Sequence, residues 1–281
     1  MNLQIIAKSA SQLFSLPEIC IKLQDLIYDP ESSMSDIAQL ISVDPSLSAR
    51  LLKIANSSFY SFPSQIDSLS RAITLIGTAD LYSLALATST PETFGSLEDN
   101  EHSDMYRFWR LSVNTGLTSR LLAEELGLRH TEVFFLAGLF HNLGKLVILE
   151  QAPDKYLEIK SGLDSGVSPW SVEKGVIDYT YAEVGDALLE CWNMPANLRD
   201  MVANQHQPEQ ASDPRFAAII HIASRGISQR EYHEKTGFEF IESINDRAWS
   251  LSDLTPDQLE QALNSAESSS QEMMTNMNLN G

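Results

Sequence analysis

The stretch Ala137-Gly138-Leu139-Phe140-His141-Asn142-Leu143-Gly144-Lys145 decides the fold prediction for this chain. It lies in a segment, residues 130–149, whose Phe and Leu content and spacing predict a helix. His141 and Asn142 are polar residues in an otherwise apolar segment, and buried polar groups need hydrogen-bond partners or ligands. Taken alone, the pair fits either a metal or phosphate site or a histidine that is hydrogen-bonded within the core.

The segments on both sides of this stretch space their apolar residues three and four positions apart, as amphipathic helices do. Asp44-Pro45 supplies an N-cap residue and a first-turn proline, and Gly77 is expected to break the helical segment 68–89. We predict a polar junction at residues 90–104. No convincing strand alternation or internal repeat is present in the sequence, so the predicted fold class is all-α.

The order of these segments predicts a two-lobed helical bundle. The N-terminal helical lobe covers residues 1–95, and the second lobe, which contains His141, covers residues 100–235. Residues 236–281 are predicted to form an acidic helical extension with a polar tail, because Ser, Gln, Asn and Met dominate after Asn264.

The charge of the chain is strongly negative. It has 19 Lys and Arg against 38 Asp and Glu, a net charge of −19. This balance argues against a nucleic-acid partner and against docking on an anionic membrane surface, both of which need a surplus of basic residues. Of the 51 residues from Glu231 to Gly281, ten are acidic and two are basic, so this end is either a docking element for a basic partner patch or a solubilising segment.

The cellular location is predicted to be cytoplasmic. The two cysteines, Cys20 and Cys191, are far apart and fit no metal or redox spacing, which favours a reducing compartment. The first residues lack the pattern of a signal peptide, and we expect no stretch that approaches the ~20 apolar residues of a membrane span.

Residues 138–145 resemble the HD motif of HD-type metal-dependent phosphohydrolases, and the wider pattern resembles the HDOD domain family (HD-related output domain), a signal-output domain of bacteria. The resemblance covers about residues 10–230 and implies an all-α fold with an HD-like second lobe. Its further motifs are Leu16-Pro17, Asp44-Pro45-Ser46-Leu47, Ala55-Asn56-Ser57, Leu75-Ile76-Gly77, Phe108-Trp109-Arg110, Glu183-Val184-Gly185 and Pro195.

The resemblance implies a pocket in which the enzymes hold one or two divalent metals that activate water against a phosphate ester. The enzymes use an upstream His, the His-Asp pair, further histidines and a distal Asp. The corresponding positions of this chain are Leu111, His141, Asn142, Tyr181, Gln205, His206 and Ser224.

Most of the metal ligands are replaced in this chain. Only His141 and His206 keep ligand side chains, and His221, one helical turn from the distal position, is a candidate substitute. Leu111 offers no ligand, and Asn142 offers a neutral amide oxygen where a bridging carboxylate is needed. Since a metal site needs three or four nitrogen or oxygen ligands with compensating charge, we expect no bound metal.

Two functions follow from the resemblance. The first is a non-catalytic signal-transduction module with a degenerate metal site, no catalytic residue and no cofactor. It would act through a protein partner in a signalling pathway, such as a two-component or cyclic-dinucleotide network. The alternative is a metal-dependent phosphohydrolase, a phosphomonoesterase or phosphodiesterase, that uses a rearranged site of His141, His206 and His221 with a divalent metal.

Overall fold

The computed structural model describes residues 2–98, 100–162, 168–236 and 244–279. Within these ranges the protein consists of α-helices and short 3-10 helices, with no β-strand, which confirms the all-α prediction. The chain divides into two compact units. The larger unit contains residues 1–15 and 97–266, and the smaller unit contains residues 16–96 and 267–281.

The smaller unit is built from five helices and the C-terminal part of a sixth. Asp44 is the N-cap of the helix that begins at Pro45 and accepts a 3.0 Å hydrogen bond from the Leu47 N–H, as the Asp-Pro pair predicted. Gly77 separates the helix that ends at Ile76 from the helix that begins at Thr78; its φ of +88° is a backbone angle that glycine adopts without strain. The helices are α2 (Glu18–Tyr28), α3 (Met34–Ser42), α4 (Pro45–Ala55), α5 (Leu69–Ile76) and α6 (Thr78–Thr93).

In the larger unit the long helix α7 (Met105–Glu125) packs against α8 (Glu132–Phe140) and α14 (Pro214–Thr236). A second group of contacts is made by α12 (Tyr181–Cys191), which packs against α9 (Leu143–Gln151), α13 (Ala196–Ala203) and α1 (Leu3–Leu13). The helices are α1 (Leu3–Leu13), α7 (Met105–Glu125), α8 (Glu132–Phe140), α9 (Leu143–Gln151), α10 (Pro153–Gly162), α11 (Pro169–Ile177), α12 (Tyr181–Cys191), α13 (Ala196–Ala203), α14 (Pro214–Thr236), α15 (Asp246–Ser252) and α16 (Pro256–Asn276).

The first residues belong to the larger unit, although the sequence grouped them with the N-terminal lobe. Helix α1 packs on α12 and α9, and buries Ile6, Ala7 and Ala10. The indole Nε1 of Trp192 donates a 2.9 Å hydrogen bond to the carbonyl oxygen of Phe14. This bond and the apolar face of α1 attach the amino terminus to a helix that lies about 180 positions later in the sequence.

Two predicted irregular segments are helical. Pro91 lies inside α6, which continues to Thr93, so the predicted junction begins four residues later than expected. The second half of α16 covers most of the predicted polar tail; Met273 and Met274 in this helix and Met277 directly after it are buried. Ser58 also donates its N–H and its hydroxyl to Glu272, at 3.0 and 2.7 Å, within the smaller unit.

One segment of the described residues, Glu132–Gln151, is long and apolar enough to cross a membrane by length and composition, contrary to expectation. However, 72% of its most apolar window is buried inside the protein. The segment comprises α8 and α9, which pack against α7 and α12, so its composition is that of a core element.

Candidate functional site

The His141-Asn142 pair forms the break between α8 and α9, whereas the sequence predicted one continuous helix. His141 is the C-terminal cap of α8, and Asn142 is the N-terminal cap of α9. The pair is therefore at a bend between two buried helices, with both side chains partly accessible.

Two glycines hold this bend between α7 and α12. A Cβ atom on Gly138 would lie 2.7 Å from the Cα of Gly116 in α7, and one on Gly144 would lie 2.6 Å from the N of Gly185 in α12. Such distances are far shorter than a normal contact of a carbon atom. The close approach of α8 to α7 and of α9 to α12 therefore requires glycine at positions 138 and 144. The glycines of the motif thus bring the backbones together and fix where His141 and Asn142 emerge.

The bend opens into a cavity of about 440 Å³ within the larger unit. The seven positions that the resemblance marks all line it, although they come from five segments of the chain: Leu111, His141, Asn142, Tyr181, Gln205, His206 and Ser224. His221 does not line this cavity; it lines a second one of about 420 Å³, to which His206 and Arg225 also contribute.

His141 is a neutral histidine with a fixed tautomer. Its Nδ1 lies 2.7 Å from the carbonyl oxygen of Gly138, and a carbonyl can only accept, so Nδ1 carries the proton and Nε2 keeps its lone pair. Burial, together with the smaller effect of the positive charges of Arg225 and Lys145, lowers the pKa of His141 to about 4, although the hydrogen bond to Gly138 acts in the opposite direction.

Gln205 links His141 to His221 through its side chain and its backbone. Its Nε2 donates to the carbonyl oxygen of His141 at 2.6 Å, and its own carbonyl accepts from Nδ1 of His221 at 2.7 Å. The Nε2 of His221 in turn accepts the backbone N–H of Asn245 at 3.2 Å. Both ring nitrogens of His221 are therefore engaged with backbone groups, and neither is placed to bind a metal.

His206 lies beside a cation and an aromatic ring. Arg225 donates through Nη2 to Nδ1 of His206 at 3.1 Å, and the His206 ring stacks on Trp170 with an interplanar angle of 19°. Burial lowers the pKa of His206 well below its usual value, and Arg225 adds to the shift. The ring is thus neutral, with a guanidinium close to it.

The remaining predicted positions bring no charged ligand. Leu111 is apolar, Asn142 is a neutral amide, and the hydroxyl of Ser224 donates to the carbonyl of His221 at 3.1 Å. Burial raises the pKa of the Tyr181 phenol, which therefore stays protonated, while the backbone N–H of Tyr181 binds Glu173 Oε2 at 2.7 Å. Nowhere in the described ranges do three His, Cys, Asp or Glu side chains meet in a group that could hold a metal ion.

The cavity also contains cationic side chains that the sequence analysis did not bring together. Only Lys145 lies in the HD-like stretch 138–145, and the other cations belong to no motif. Their convergence depends on the packing of α7, α9, α10 and α14. The cations are Arg107, Lys145, Lys160 and Arg225, and the carboxylates that line the same cavity are Asp104 and Glu173.

Comparisons with known proteins agree with this architecture. Residues 13–208 match the family model of the HDOD domain. The chain has a TM-score of 0.76 at 22% identity to a crystal structure named "Putative phosphohydrolase" from Shewanella amazonensis SB2B, over 97% of both chains. It has a TM-score of 0.70 at 19% identity to an HDOD domain protein with unknown function from Geobacter sulfurreducens, over 99% of this chain and 98% of the other. At these identities the likeness shows the fold.

A curated relative is longer than this chain. An uncharacterized protein of Treponema pallidum (strain Nichols) is 26% identical over 240 residues, which are 84% of this chain and 46% of the relative. The chain therefore spans about half the length of that relative.

Proposed function

The chain belongs to the HDOD domain family, and from this membership we propose that it is a non-catalytic signal-transduction module that acts through a protein partner. Its HD-type site is degenerate. The module works in the cytoplasm within a signalling pathway, such as a two-component or cyclic-dinucleotide network, and neither nucleic acid nor a membrane surface is its partner.

The observation that carries this proposal is the charge of the cavity. A divalent metal needs anionic ligands that compensate its charge. The cavity presents Leu111 and Asn142 where the enzymes place a histidine and a carboxylate, and it is lined by four cations against two carboxylates. Arg225 lies directly against His206, one of the two retained ligand positions. The residues present do not fit a divalent metal, and we derive no catalytic step through one.

The alternative phosphohydrolase keeps one supporting feature. His141 donates Nδ1–H to a backbone carbonyl, and its Nε2 has no hydrogen bond within the described ranges, an arrangement that metal-binding histidines share. A single such histidine with an arginine-bound His206 leaves a metal without its remaining ligands, because both nitrogens of His221 are engaged.

Elemental analysis and an activity screen test the proposal. The purified chain is dialysed against manganese, nickel or magnesium, and is then assayed with phosphomonoester and phosphodiester substrates. We expect less than stoichiometric metal and no turnover above that of a heat-denatured sample. Metal at one equivalent per chain together with turnover that His141→Ala abolishes would overturn the proposal in favour of the phosphohydrolase.

The protein partner is tested by crosslinking in cells followed by mass spectrometry. We expect reproducible crosslinks from this chain to a signalling protein. The affinity of the reconstituted pair should fall as salt rises, because the net charge of −19 steers basic patches toward this surface. A chain that crosslinks to no protein above background would contradict the partner part of the proposal.

A further inference from the structure

Cations with low exposure in this protein are, in general, matched by carboxylates. Arg50 binds Glu92 at 2.7 Å, Arg120 binds Glu124 at 2.9 Å, and Arg230 binds Glu260 at 2.9 Å. Arg199 binds both Asp186 and Glu190, at 2.8 and 2.9 Å. In a chain with twice as many acids as bases, such pairing is easily available.

Lys145 departs from this pattern. No carboxylate among the described residues lies within ion-pair distance of its Nζ, which instead lies 5.9 Å from the centre of the Tyr156 ring. Burial lowers the pKa of Lys145, and the nearby charge of Arg107 lowers it further, while the charges of Glu173 and Glu231 act in the opposite direction. A positive charge held at low dielectric with no carboxylate at ion-pair distance is costly, and an anion in the cavity would reduce that cost.

The surrounding groups add positive charge rather than cancelling it. Lys160 donates through Nζ to the carbonyl oxygen of His102 at 3.2 Å and is paired with no carboxylate among the described residues. Arg107 and Arg110 share one carboxylate, Glu231, so the three together carry one positive charge. With Lys145, Lys160 and Arg225, and with Asp104 and Glu173 subtracted, the cavity has a net charge of about +2 when its histidines are neutral.

The walls of the cavity indicate an organic rather than a bare anion. Its volume of about 440 Å³ lies in the range of small-molecule sites, and apolar groups line it beside the cations. These apolar residues are Phe108, Leu111, Ile159 and Ile227. The amino end of α9 is also at the wall, since Asn142 and Lys145 both line the cavity, and the positive end of a helix dipole favours an anion.

We propose that this cavity binds a small organic phosphate without a divalent metal, with the phosphate group against Lys145 and with Lys160 and Arg107 supplying further positive charge. A phosphate monoester carries a charge close to −2 at neutral pH, which matches the charge of the cavity. The inference deepens the proposed function, on which it rests: a cavity that no longer suits a metal becomes the ligand site of the module.

Titration calorimetry in the presence of EDTA tests the inference, with adenosine monophosphate and inorganic phosphate as probes. We expect saturable binding of adenosine monophosphate with one site per chain, and weaker binding of inorganic phosphate, which cannot use the apolar wall. Phosphorus NMR of the same mixture should show adenosine monophosphate unchanged after the titration.

The variant Lys145→Met removes the central charge and keeps the length of the side chain. It should weaken binding roughly tenfold or more, as expected for the loss of a charge-assisted contact. Lys160→Met, at a more exposed position, should weaken binding about threefold. The control is Lys155→Met, which makes the same change of overall charge at a partly exposed lysine that lies outside the cavity and pairs with Glu158 at 2.8 Å. It should leave the affinity unchanged.

The two proposals fail in different ways. If neither probe binds in EDTA, or if Lys145→Met and Lys160→Met bind as the wild type does, the inference is overturned while a non-catalytic module remains. Binding that appears only after manganese is added overturns it as well. Release of inorganic phosphate from the bound probe would overturn the proposed function itself.

Discussion

Gly144 of α9 packs so closely against Tyr181 of α12 that a Cβ atom at position 144 would overlap the carbonyl oxygen of Tyr181. The same Cβ would lie 2.6 Å from the backbone N of Gly185. This crossing holds the His141-Asn142 bend in place, so the geometry of the cavity depends on a residue that has no side chain.

Replacing Gly144 by Ala tests this dependence. We expect Gly144→Ala to lower the free energy of unfolding by roughly 2 kcal/mol or more, because the two helix backbones must move apart to admit the methyl group. Urea unfolding followed by circular dichroism measures the change.

The matched control for this substitution is Gly175→Ala in α11, where an added Cβ would meet no atom within 4 Å. It should be neutral or stabilise the protein by up to about 1 kcal/mol, because alanine is the better helix former. If the two variants unfold at the same urea concentration, the close crossing does not constrain the fold.

Asn142→Asp restores the carboxylate of the HD pair, and we expect that it does not restore metal binding. Leu111 would still supply no ligand, and Arg225 beside His206 would still oppose a divalent cation. Elemental analysis after dialysis against manganese should find less than one metal per chain in the variant. One tightly bound manganese per Asn142→Asp chain would contradict this prediction, because it would show that a carboxylate at position 142 alone is enough to restore metal binding.

The stability of the protein should fall as the pH drops from 6.5 toward 4, in part because of His221. Burial holds the pKa of His221 at about 4, against 6.5 for a free histidine; the hydrogen bond to the Gln205 carbonyl and the charge of Glu209 act in the opposite direction, and the charge of Arg225 acts with burial. Between pH 6.5 and pH 4 the unfolded chain binds more protons than the folded one. The contribution of His221 to the free energy of unfolding is therefore fully present above pH 6.5 and decreases as the pH falls below that value. A shift of this size corresponds to about 3 kcal/mol.

His221→Gln isolates this contribution, because the glutamine amide can donate to the Gln205 carbonyl and accept from the Asn245 N–H, as the imidazole does. Unfolding free energies between pH 7 and pH 4.5 should decline less steeply in His221→Gln than in the wild type. His130→Gln, at an exposed histidine, is the control and should keep the wild-type slope. Parallel curves for all three proteins would show that His221 is not held neutral by the fold.

The sequence predicted the positions of the helices better than it predicted which of the two units each helix belongs to. Local signals such as Asp44-Pro45 and Gly77 correctly marked helix boundaries, because capping and positive φ are properties of a few adjacent residues. The attachment of α1 to α12 depends on contacts such as Trp192 with Phe14, which no local pattern encodes. The buried methionines of α16 likewise looked like part of a tail, because Ser, Gln and Asn surround them in sequence.

The site was predictable only where a motif existed. The seven HD-like positions came from a resemblance, and the structure brings them to one cavity. Lys160 and Arg107 belong to no such pattern, and their charges meet because α10 packs on α9 while α7 packs on α8, the helix that precedes α9. The break at His141 was also missed, because apolar residues continue on both sides of the polar His141-Asn142 pair and their spacing predicts one helix.

Glu231 accepts two hydrogen bonds from Arg107, at 2.8 and 2.7 Å, and one from Arg110, at 2.9 Å. Its side chain is only 8% exposed, and it joins α14 to α7. Replacing it by glutamine removes the negative charge that both guanidinium groups share. We expect Glu231→Gln to lower the free energy of unfolding by roughly 1–3 kcal/mol, as the loss of one partner of a mostly buried ion pair does.

The same variant should bind adenosine monophosphate more tightly, by about threefold, because Arg107 lines the cavity and its charge is no longer neutralised. Glu260→Gln is the control: it removes an exposed carboxylate that pairs with Arg230 and changes the overall charge equally. It should cost less than about 1 kcal/mol and leave the affinity unchanged, as surface ion pairs do. An affinity that falls or stays constant in Glu231→Gln, in a variant that remains folded, would separate Arg107 from the anion site and leave Lys145 and Lys160 as its charged groups.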